Sequence, residues 1–142
     1  PTMRRAVASG SVRMLPTTAM RILRVDAPKG EVIGTARIAG IMAAKRTPEL
    51  IPLCHAIALT HVGIDIQVRV DAGVAEVFVT ATTEALDRTG VEMEAMVAVS
   101  VACLTIYDML KGIDRAMMIT DVKLLEKSGG RSGYFRREGP TE

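Results

Sequence analysis

The feature that most constrains the fold of this chain is a long, almost wholly apolar stretch from Thr89 to Gly112. No proline or glycine interrupts residues 91–111, which predicts one helix of about 20 residues, roughly 30 Å long. Thr89 and Glu92 have the spacing of a capping box and predict the start of this helix, whereas Gly112 suits its end.

The middle of the predicted helix carries no charge over the 13 residues between Glu94 and Asp108. A helix needs about 20 apolar residues to cross a bilayer, so this run is too short. A helix that is apolar on every side and does not span a membrane must be covered by protein. We therefore expect it to be buried, partly against another subunit.

Length and composition favour one domain with an aliphatic core. The chain has 142 residues, of which 49% are hydrophobic, 24% charged and only 3% aromatic. These values are typical of a soluble globular protein and argue against disorder. We expect a single domain over residues 1–142, with a core at 1–133 and a flexible tail at 134–142.

The cysteine count and the absence of targeting signals bear on the compartment. Cys54 and Cys103 give no disulfide framework, so reduced thiols are the simpler interpretation. No signal-peptide or lipidation motif is recognisable, and the sequence begins at Pro1, as a trimmed or partial chain does. A net charge of +2 does not by itself indicate a nucleic-acid or membrane partner. We expect a cytoplasmic protein.

The periodicity of the remaining chain predicts alternating strands and helices. Strands are predicted at 2–14, 62–70, 75–81 and 117–125, and a slim, glycine- and alanine-rich helix at 31–46, while 16–25 fits a short helix. The order β-α-β-β-α-β predicts an α+β, ferredoxin-like fold, a four-stranded antiparallel sheet with helices on one face. Because that fold hosts many functions, it decides little about activity.

Asp108 and Lys111 lie three residues apart near the end of the long helix and share one face. They can form a surface ion pair, or a general acid/base pair at the edge of a pocket. Both interpretations are open at this point. At the other end, the capping box is a sufficient explanation for Glu92, whereas Glu94 has only a favourable interaction with the helix dipole.

Three further segments are candidates for chemistry. His55 fits a satisfied core histidine, and a Cys54–His55 nucleophile is disfavoured because adjacent residues of an extended chain point in opposite directions. Lys29 precedes the slim helix, where it can bind phosphate together with free helix N–H groups, or remain a solvated turn lysine. The basic, glycine-rich run 127–133 has the composition of an anion-binding nest.

Several blocks together resemble one family. They are Lys29-Gly-Glu, Ala36-Arg-Ile-Ala-Gly-Ile41, Ala44-Lys-Arg-Thr47, Leu50-Ile-Pro-Leu-Cys-His55, Thr89-Gly-Val-Glu-Met-Glu-Ala95, Leu104-Thr-Ile-Tyr-Asp-Met109 and Lys127-Ser-Gly-Gly130. This combination resembles the cyclic pyranopterin monophosphate synthases, the family of molybdenum cofactor biosynthesis protein C. The similarity runs from about Thr2 to Gly133.

The resemblance implies a reaction and an assembly. The reaction rearranges a cyclised GTP derivative, 3′,8-cyclo-7,8-dihydro-GTP, into cyclic pyranopterin monophosphate and releases pyrophosphate. The assembly is a homohexamer, a trimer of dimers with sites at the dimer interface. No cofactor is expected to be required; Mg²⁺ can accompany the substrate triphosphate, although no dedicated metal ligand set is visible.

The resemblance also implies roles for individual residues. The catalytic aspartate of the family matches Asp108, and its catalytic lysines match Lys29 and Lys111. The substrate-binding positions match Leu53, Cys54, His55, Met93, Glu94 and Lys127. Among the basic side chains, Arg37 is a further candidate for holding phosphates, with His55 and Lys127.

The sequence departs from the family at two places, and two other classes of protein remain as alternatives. Ala56 stands where the family usually has proline, and the sequence begins close to the first predicted strand, where the family carries an N-terminal lead. A non-catalytic ferredoxin-like module binding a small anionic ligand would need the fold but no acid/base pair. An RNA-binding sheet would need several exposed aromatic residues, and Phe78 alone is too few.

Overall fold

A computed structural model describes residues 1–130 and 133–138. It is an α+β structure whose helices pack on one face of an antiparallel sheet. The strands are β1 (Thr2–Met14), β2 (His61–Val70), β3 (Ala75–Asp87), β4 (Met118–Ser128) and β5 (Phe135–Arg136). The helices are α1 (Pro16–Leu23), α2 (Val32–Lys45), α3 (Thr47–Leu50) and α4 (Glu92–Leu110). All the predicted strands and helices are present, within a few residues at most boundaries.

The sheet has five strands in the order β2-β3-β1-β4-β5, so the prediction of four strands was wrong. The additional strand, β5, pairs Phe135 with Lys127 and Arg136 with Glu126 of β4. Two residues are too few to produce a period-two pattern, so this strand could not be predicted from periodicity. Residues 139–142 of the predicted tail lie outside the described residues, and the flexibility of the tail stays a prediction.

The centre of the sheet is β1, which pairs with β3 on one side and β4 on the other. Its inward face carries small residues such as Ala6, Ala8 and Gly10, and this lets α4 lie close to the strand. A Cβ atom at Gly10 would come within 2.7 Å of Val99 Cγ1 of α4. A larger residue at position 10 would therefore force the helix away from the sheet.

Helices α2 and α4 pack side by side at a point of close backbone approach. A Cβ atom at Gly40 of α2 would lie 2.9 Å from the Ala98 carbonyl oxygen of α4 and 2.3 Å from Ile64 Cδ1. The slim helix predicted at 31–46 is thus confirmed, and its glycine has a packing reason.

Helix α4 runs through the core, as its apolar composition predicted. Ten of its 19 residues are buried, including Ile106 and Leu110, which are completely inaccessible. Within the described residues it is the one helix that meets a length and hydropathy test for crossing a membrane, but 56% of its apolar window is buried inside the fold. The core helix of a globular protein passes the same test, and the burial favours that interpretation.

The capping-box prediction at the start of α4 was wrong. The residue preceding the helix is Val91, whose side chain cannot cap the free N–H groups of the first turn. The Thr89 hydroxyl instead lies 3.5 Å from the Gly90 carbonyl oxygen, which it faces as a donor. Glu92, the other half of the predicted box, pairs with Lys127 of β4. Glu92 therefore does not form the predicted box with Thr89.

Candidate active site

Asp108 stands between two lysines at the C-terminal end of α4. Its two carboxylate oxygens lie 3.1 Å from Lys29 Nζ and 3.0 Å from Lys111 Nζ. Lys111 follows directly from the helix, three residues on, whereas Lys29 comes from the loop between α1 and α2. The structure thus brings together the three residues predicted to be catalytic.

The charges of this cluster favour an ionised aspartate. Hydrogen bonds from Lys111 and then Lys29 hold the pKa of Asp108 below its ordinary value. All three side chains are about half exposed, with Asp108 at 53%. Exposed ion pairs contribute little to stability, so stability gives little reason to gather three charged groups here. The arrangement suits proton transfer and the binding of an anion by two ammonium groups.

A cavity of about 300 Å³ lies at the opposite end of α4. It is bordered by the loop that follows α3 and by the first turn of α4. Its lining residues are Ile51, Leu53, Cys54, His55, Ile57, Thr89, Gly90, Glu92, Met93 and Glu94. Five of these were predicted to bind substrate, and the structure brings all five to one place: Leu53, Cys54, His55, Met93 and Glu94.

Glu94 is the unusual residue of this cavity, because it is a carboxyl group in the interior. Its side chain is 2% exposed. The Cys54 thiol lies 3.8 Å from Oε2 as a donor, whereas Oε1 has no hydrogen-bond partner among the described residues. Burial, more than any neighbouring charge, raises the pKa of Glu94 above its ordinary value. A carboxyl group in this state can donate or accept a hydrogen bond to a polar ligand.

The nucleophile interpretation of Cys54 is not favoured by its surroundings. Burial and then the adjacent Glu94 raise the pKa of the Cys54 thiol, which keeps it protonated. A reactive cysteine has a lowered pKa. Cys54 is thus better suited to hold Glu94 than to attack a substrate.

Lys127 joins the same end of the molecule through Glu92. Its Nζ lies 3.1 Å from Glu92 Oε2, and both side chains are mostly covered. The remainder of the predicted anion-binding nest is described only in part, since Arg131 and Ser132 lie outside the described residues. The Glu92–Lys127 pair was not predicted from the sequence, because the expected capping box already accounted for a glutamate at position 92.

His55 and Leu53 project outwards, contrary to the prediction of a core histidine. His55 is exposed, and Leu53 is 97% exposed, which is unusual for a large aliphatic side chain. Leu53 and His55 therefore offer their side chains to a ligand or to another chain, whereas Cys54 between them turns towards Glu94. A leucine with almost no protein contact is unfavourable in water unless something covers it.

Two residues predicted to take part in anion binding lie away from the other predicted site residues or have nearby groups already bonded, and their roles stay predictions. Arg37 donates its Nε–H to the Ile64 carbonyl oxygen at 3.1 Å, and none of its described contacts joins it to either end of α4. The N-terminus of α2 is closed by its own residue, because Glu31 accepts from Ile33 N at 2.8 Å and Gly34 N at 2.7 Å. Two of the helix N–H groups that were to help Lys29 bind phosphate are therefore already bonded to Glu31.

The two groups of predicted residues stand at opposite ends of one helix. Glu94 and Asp108 are 14 residues apart, which places them on nearly the same face but about 21 Å from each other along the axis. Within one chain they cannot both contact a single small substrate. In the part of the chain that the structure describes, no three His, Cys, Asp or Glu side chains are grouped closely enough to hold a metal ion.

Comparison with known proteins decides the family. The family model described as "MoaC family" matches residues 1–130 of this chain. The chain belongs to the MoaC family. The family match covers the Asp108 cluster, the Glu94 cavity and Lys127.

Several curated relatives in this family carry the same name. A cyclic pyranopterin monophosphate synthase of Roseiflexus sp. (strain RS-1) is 59% identical over 94% of this chain and 84% of its own length. One of Pelotomaculum thermopropionicum is 56% identical over 97% of this chain and 80% of its own. Cyclic pyranopterin monophosphate synthase 3 of Mycobacterium bovis is 56% identical over 96% and 75% respectively.

Proposed function

We propose that this MoaC-family chain is a cyclic pyranopterin monophosphate synthase acting in molybdenum cofactor biosynthesis. It converts 3′,8-cyclo-7,8-dihydro-GTP into cyclic pyranopterin monophosphate and pyrophosphate. The observation that carries the proposal is the Lys29–Asp108–Lys111 cluster, which gathers a carboxylate and two ammonium groups where stability alone does not call for them. The similarity to relatives of that name supports the choice of reaction.

The cluster supplies both parts of the chemistry. Rebuilding the purine-derived rings requires protons to be removed and returned at several atoms, and an ionised carboxylate beside two ammonium groups can serve as base and acids. Closing the cyclic phosphate expels pyrophosphate, whose developing negative charge is stabilised by cations aimed at it. In this proposal Asp108 accepts protons, while Lys29 and Lys111 donate protons and hold phosphate oxygens.

The cavity at the other end of α4 binds the heterocycle. Glu94, with a raised pKa and an oxygen that lacks a partner among the described residues, can exchange hydrogen bonds with the ring nitrogens. Met93 and Leu53 offer apolar surface to the ring faces, and the exposed His55 reaches outwards to phosphate. The reaction needs no resident cofactor, and Mg²⁺ enters only with the substrate triphosphate.

The separation of the two groups supports a site shared between two copies of the chain. Val101 lies midway between Glu94 and Asp108 in sequence. If two α4 helices pack antiparallel about a two-fold axis at the level of Val101, Glu94 of one chain lies beside Asp108 of its partner, and the reverse holds at the second site.

The exposed surface supplies an independent reason to expect such a partner. Leu104 of α4 is 56% exposed, and α2 presents Ile38 and Met42 to solvent in the single chain. A second copy would cover this apolar surface and Leu53. We propose a homodimer of this kind as the unit of a hexamer, a trimer of dimers, in the cytoplasm.

The finer description of the fold belongs to the same proposal. Leaving the two-residue β5 aside, the order β2-β3-β1-β4 with every neighbour antiparallel, together with helices on one face, supports a ferredoxin-like arrangement. A solved structure of this chain compared with ferredoxin-like proteins would test that description.

The function is tested by supplying the purified protein with the cyclised GTP precursor and following pyrophosphate and pyranopterin formation. We expect turnover by the unaltered chain, and a loss of at least about 100-fold in kcat for Asp108→Asn, within the range of general acid–base contributions. Lys123→Met, which removes a lysine of β4 outside both groups, is the matched control. Binding of the precursor without turnover would instead support the non-catalytic module.

A further inference from the structure

Helix α1 is bonded at its start to Asp114, in the turn that follows Lys111, and leads at its end into the loop that carries Lys29. We propose that α1 is a brace that positions Lys29 and Lys111 around Asp108, acting through Asp114 at one end and the Arg21–Asp26 pair at the other. Arg21, Asp26 and Asp114 are thus positioning residues. The inference rests on the proposed function for its kinetic consequences but not for its geometry.

The first end of the brace is a helix cap supplied by a distant part of the chain. Leu15, the residue preceding α1, has no side-chain oxygen with which to cap the helix. The carboxylate of Asp114 does so instead, accepting from Leu15 N at 3.0 Å and from the Thr18 hydroxyl at 2.9 Å through the same oxygen. Asp114 is buried, so these bonds are shielded from water.

This cap is tied directly to Lys111. A tight turn follows α4, in which both Ile113 N and Asp114 N donate to the Leu110 carbonyl oxygen, at 3.0 and 3.1 Å. Lys111 lies inside this turn, three residues before Asp114. Fixing Asp114 against α1 therefore fixes the direction in which the Lys111 side chain leaves the helix.

The second end of the brace is tied to Lys29. Arg21 donates from Nε to Asp26 Oδ1 at 2.9 Å and from Nη2 to the Asp26 carbonyl oxygen at 2.8 Å, while Asp26 N donates to the Arg21 carbonyl oxygen at 3.1 Å. A turn closed by Gly30 N and the Ala27 carbonyl oxygen, at 3.1 Å, follows at once and contains Lys29.

The bonds between Arg21 and Asp26 form a latch around Val25. The backbone of Val25 is held there in a conformation that this residue type disfavours. Val25 has φ +57°, in the left-handed region that β-branched residues avoid. Such a residue persists where its surroundings determine the conformation, here the Arg21–Asp26 bonds on either side of it. The latch thus sets the path of the chain that leads to Lys29.

The experiment compares variants that release each end with matched controls. Arg21→Met releases the latch while keeping the apolar stem. Arg24→Met changes the arginine that directly follows α1, whose side chain takes part in none of these bonds. Asp114→Leu removes the cap, whereas Asp114→Asn keeps a carbonyl oxygen that can accept the same two bonds. Arg21 is a partly exposed residue, so its variant remains testable if Asp114→Leu does not fold.

Three measurements are made on each variant. Crystal structures should show Lys29 Nζ, in Arg21→Met, or Lys111 Nζ, in Asp114→Leu, more than about 4 Å from Asp108, beyond ion-pair distance. The value of kcat should fall roughly tenfold, since small misplacements of catalytic groups are costly. The acid limb of the pH profile of kcat/KM should move upwards, as expected when Asp108 loses an ammonium neighbour. Arg24→Met and Asp114→Asn should retain the unaltered distances and rates.

The outcomes separate the brace from the function. Unchanged Lys29–Asp108 and Lys111–Asp108 distances in Arg21→Met and Asp114→Leu would overturn the brace, whether or not the protein turns over the precursor. A loss of thermal stability with unaltered kcat and pH profile would also overturn it, because α1 would then be only structural. An unaltered protein that never turns over the precursor would refute the proposed function and leave the distance test in force.

Discussion

At the scale of single residues, the two ends of α4 hold carboxyl groups with opposite tendencies. Hydrogen bonds from lysines lower the pKa of Asp108, whereas burial raises the pKa of Glu94. Near neutral pH the first is suited to accept a proton and the second is closer to holding one. Two carboxyl groups driven apart in this way are a frequent sign of acid/base assignments.

Glu94 should make the stability of the protein depend on pH. Because its pKa is raised in the folded state, the folded protein binds the proton more tightly than the unfolded chain does. Proton binding by Glu94 therefore stabilises the folded protein fully below the ordinary pKa of glutamate. This stabilisation is lost as the pH rises through the raised pKa of the folded state. We expect Glu94→Gln to raise Tm by about 3 °C or more at pH 8 and to change it little at pH 4.

The measurement is a series of thermal unfolding curves between those two pH values. Glu49→Gln, at an exposed glutamate of α3, is the control for removing a charge, and it should leave Tm nearly unchanged across the series. A Glu94→Gln protein that is less stable than the unaltered one at pH 8 would mean that the buried carboxylate is paired when charged.

Some of this chemistry was readable from the sequence and some was not. The spacing of Asp108 and Lys111 predicted their contact, because residues three apart on a helix are neighbours. Lys29 is 79 positions from Asp108, and only the family resemblance implied that the two act together. The burial of Glu94 could not be predicted, since it depends on how the loop at Cys54 folds over the first turn of α4.

At the scale of secondary-structure elements, periodicity was a reliable guide and local motifs were not. The alternation in β1, β2 and β3 and the helical spacing in α2 predicted real elements, since the pattern reports which face is buried. The capping box at Thr89 failed because the pairing of Glu92 with Lys127 competes for the same side chain. The cap on α1 comes from Asp114, 99 positions from Leu15, beyond any local motif.

The close approach of α2 and α4 predicts a sensitive position at Gly40. A Cβ atom there would meet the Ala98 carbonyl oxygen, which is backbone and cannot move by rotating a bond. We expect Gly40→Val to lower the free energy of unfolding by about 1–3 kcal/mol, the usual cost of overpacking a core.

Chemical denaturation measures this change, with Ala39→Val on the same helix as control for introducing a β-branched residue. That control should cost only a few tenths of a kcal/mol, since it reflects helix propensity. Equal losses in the two variants would show that the helices separate without penalty and that Gly40 has no special packing role.

At the scale of the whole molecule, the shared site makes a quantitative prediction. Glu94→Gln and Asp108→Asn proteins should each be inactive alone. After random exchange of subunits about half the dimers are mixed, and each mixed dimer has one site with both residues intact and one with neither, so about a quarter of the unaltered activity should return.

The matched control for this mixing experiment is a pair of variants that both change residues at the C-terminal end of α4. Asp108→Asn mixed with Lys111→Met should recover nothing, because every site then lacks one of the two residues. Recovery in the control pair, or none in the test pair, would contradict the antiparallel arrangement of α4 helices. The sequence suggested a buried interface helix but could not place the second chain, which depends on surfaces such as Leu53 and Leu104.

The burial of Cys103 makes the labelling of its thiol a measure of how often α4 separates from the sheet. The thiol is fully buried beneath α4 against β1, and burial raises its pKa to about 12. A thiol reagent can therefore reach it only when α4 leaves the sheet, whereas Cys54 is accessible at the rim of the cavity. In one labelling time course, Cys54 should report whether the ligand cavity is covered, and Cys103 should report how often the whole domain unfolds.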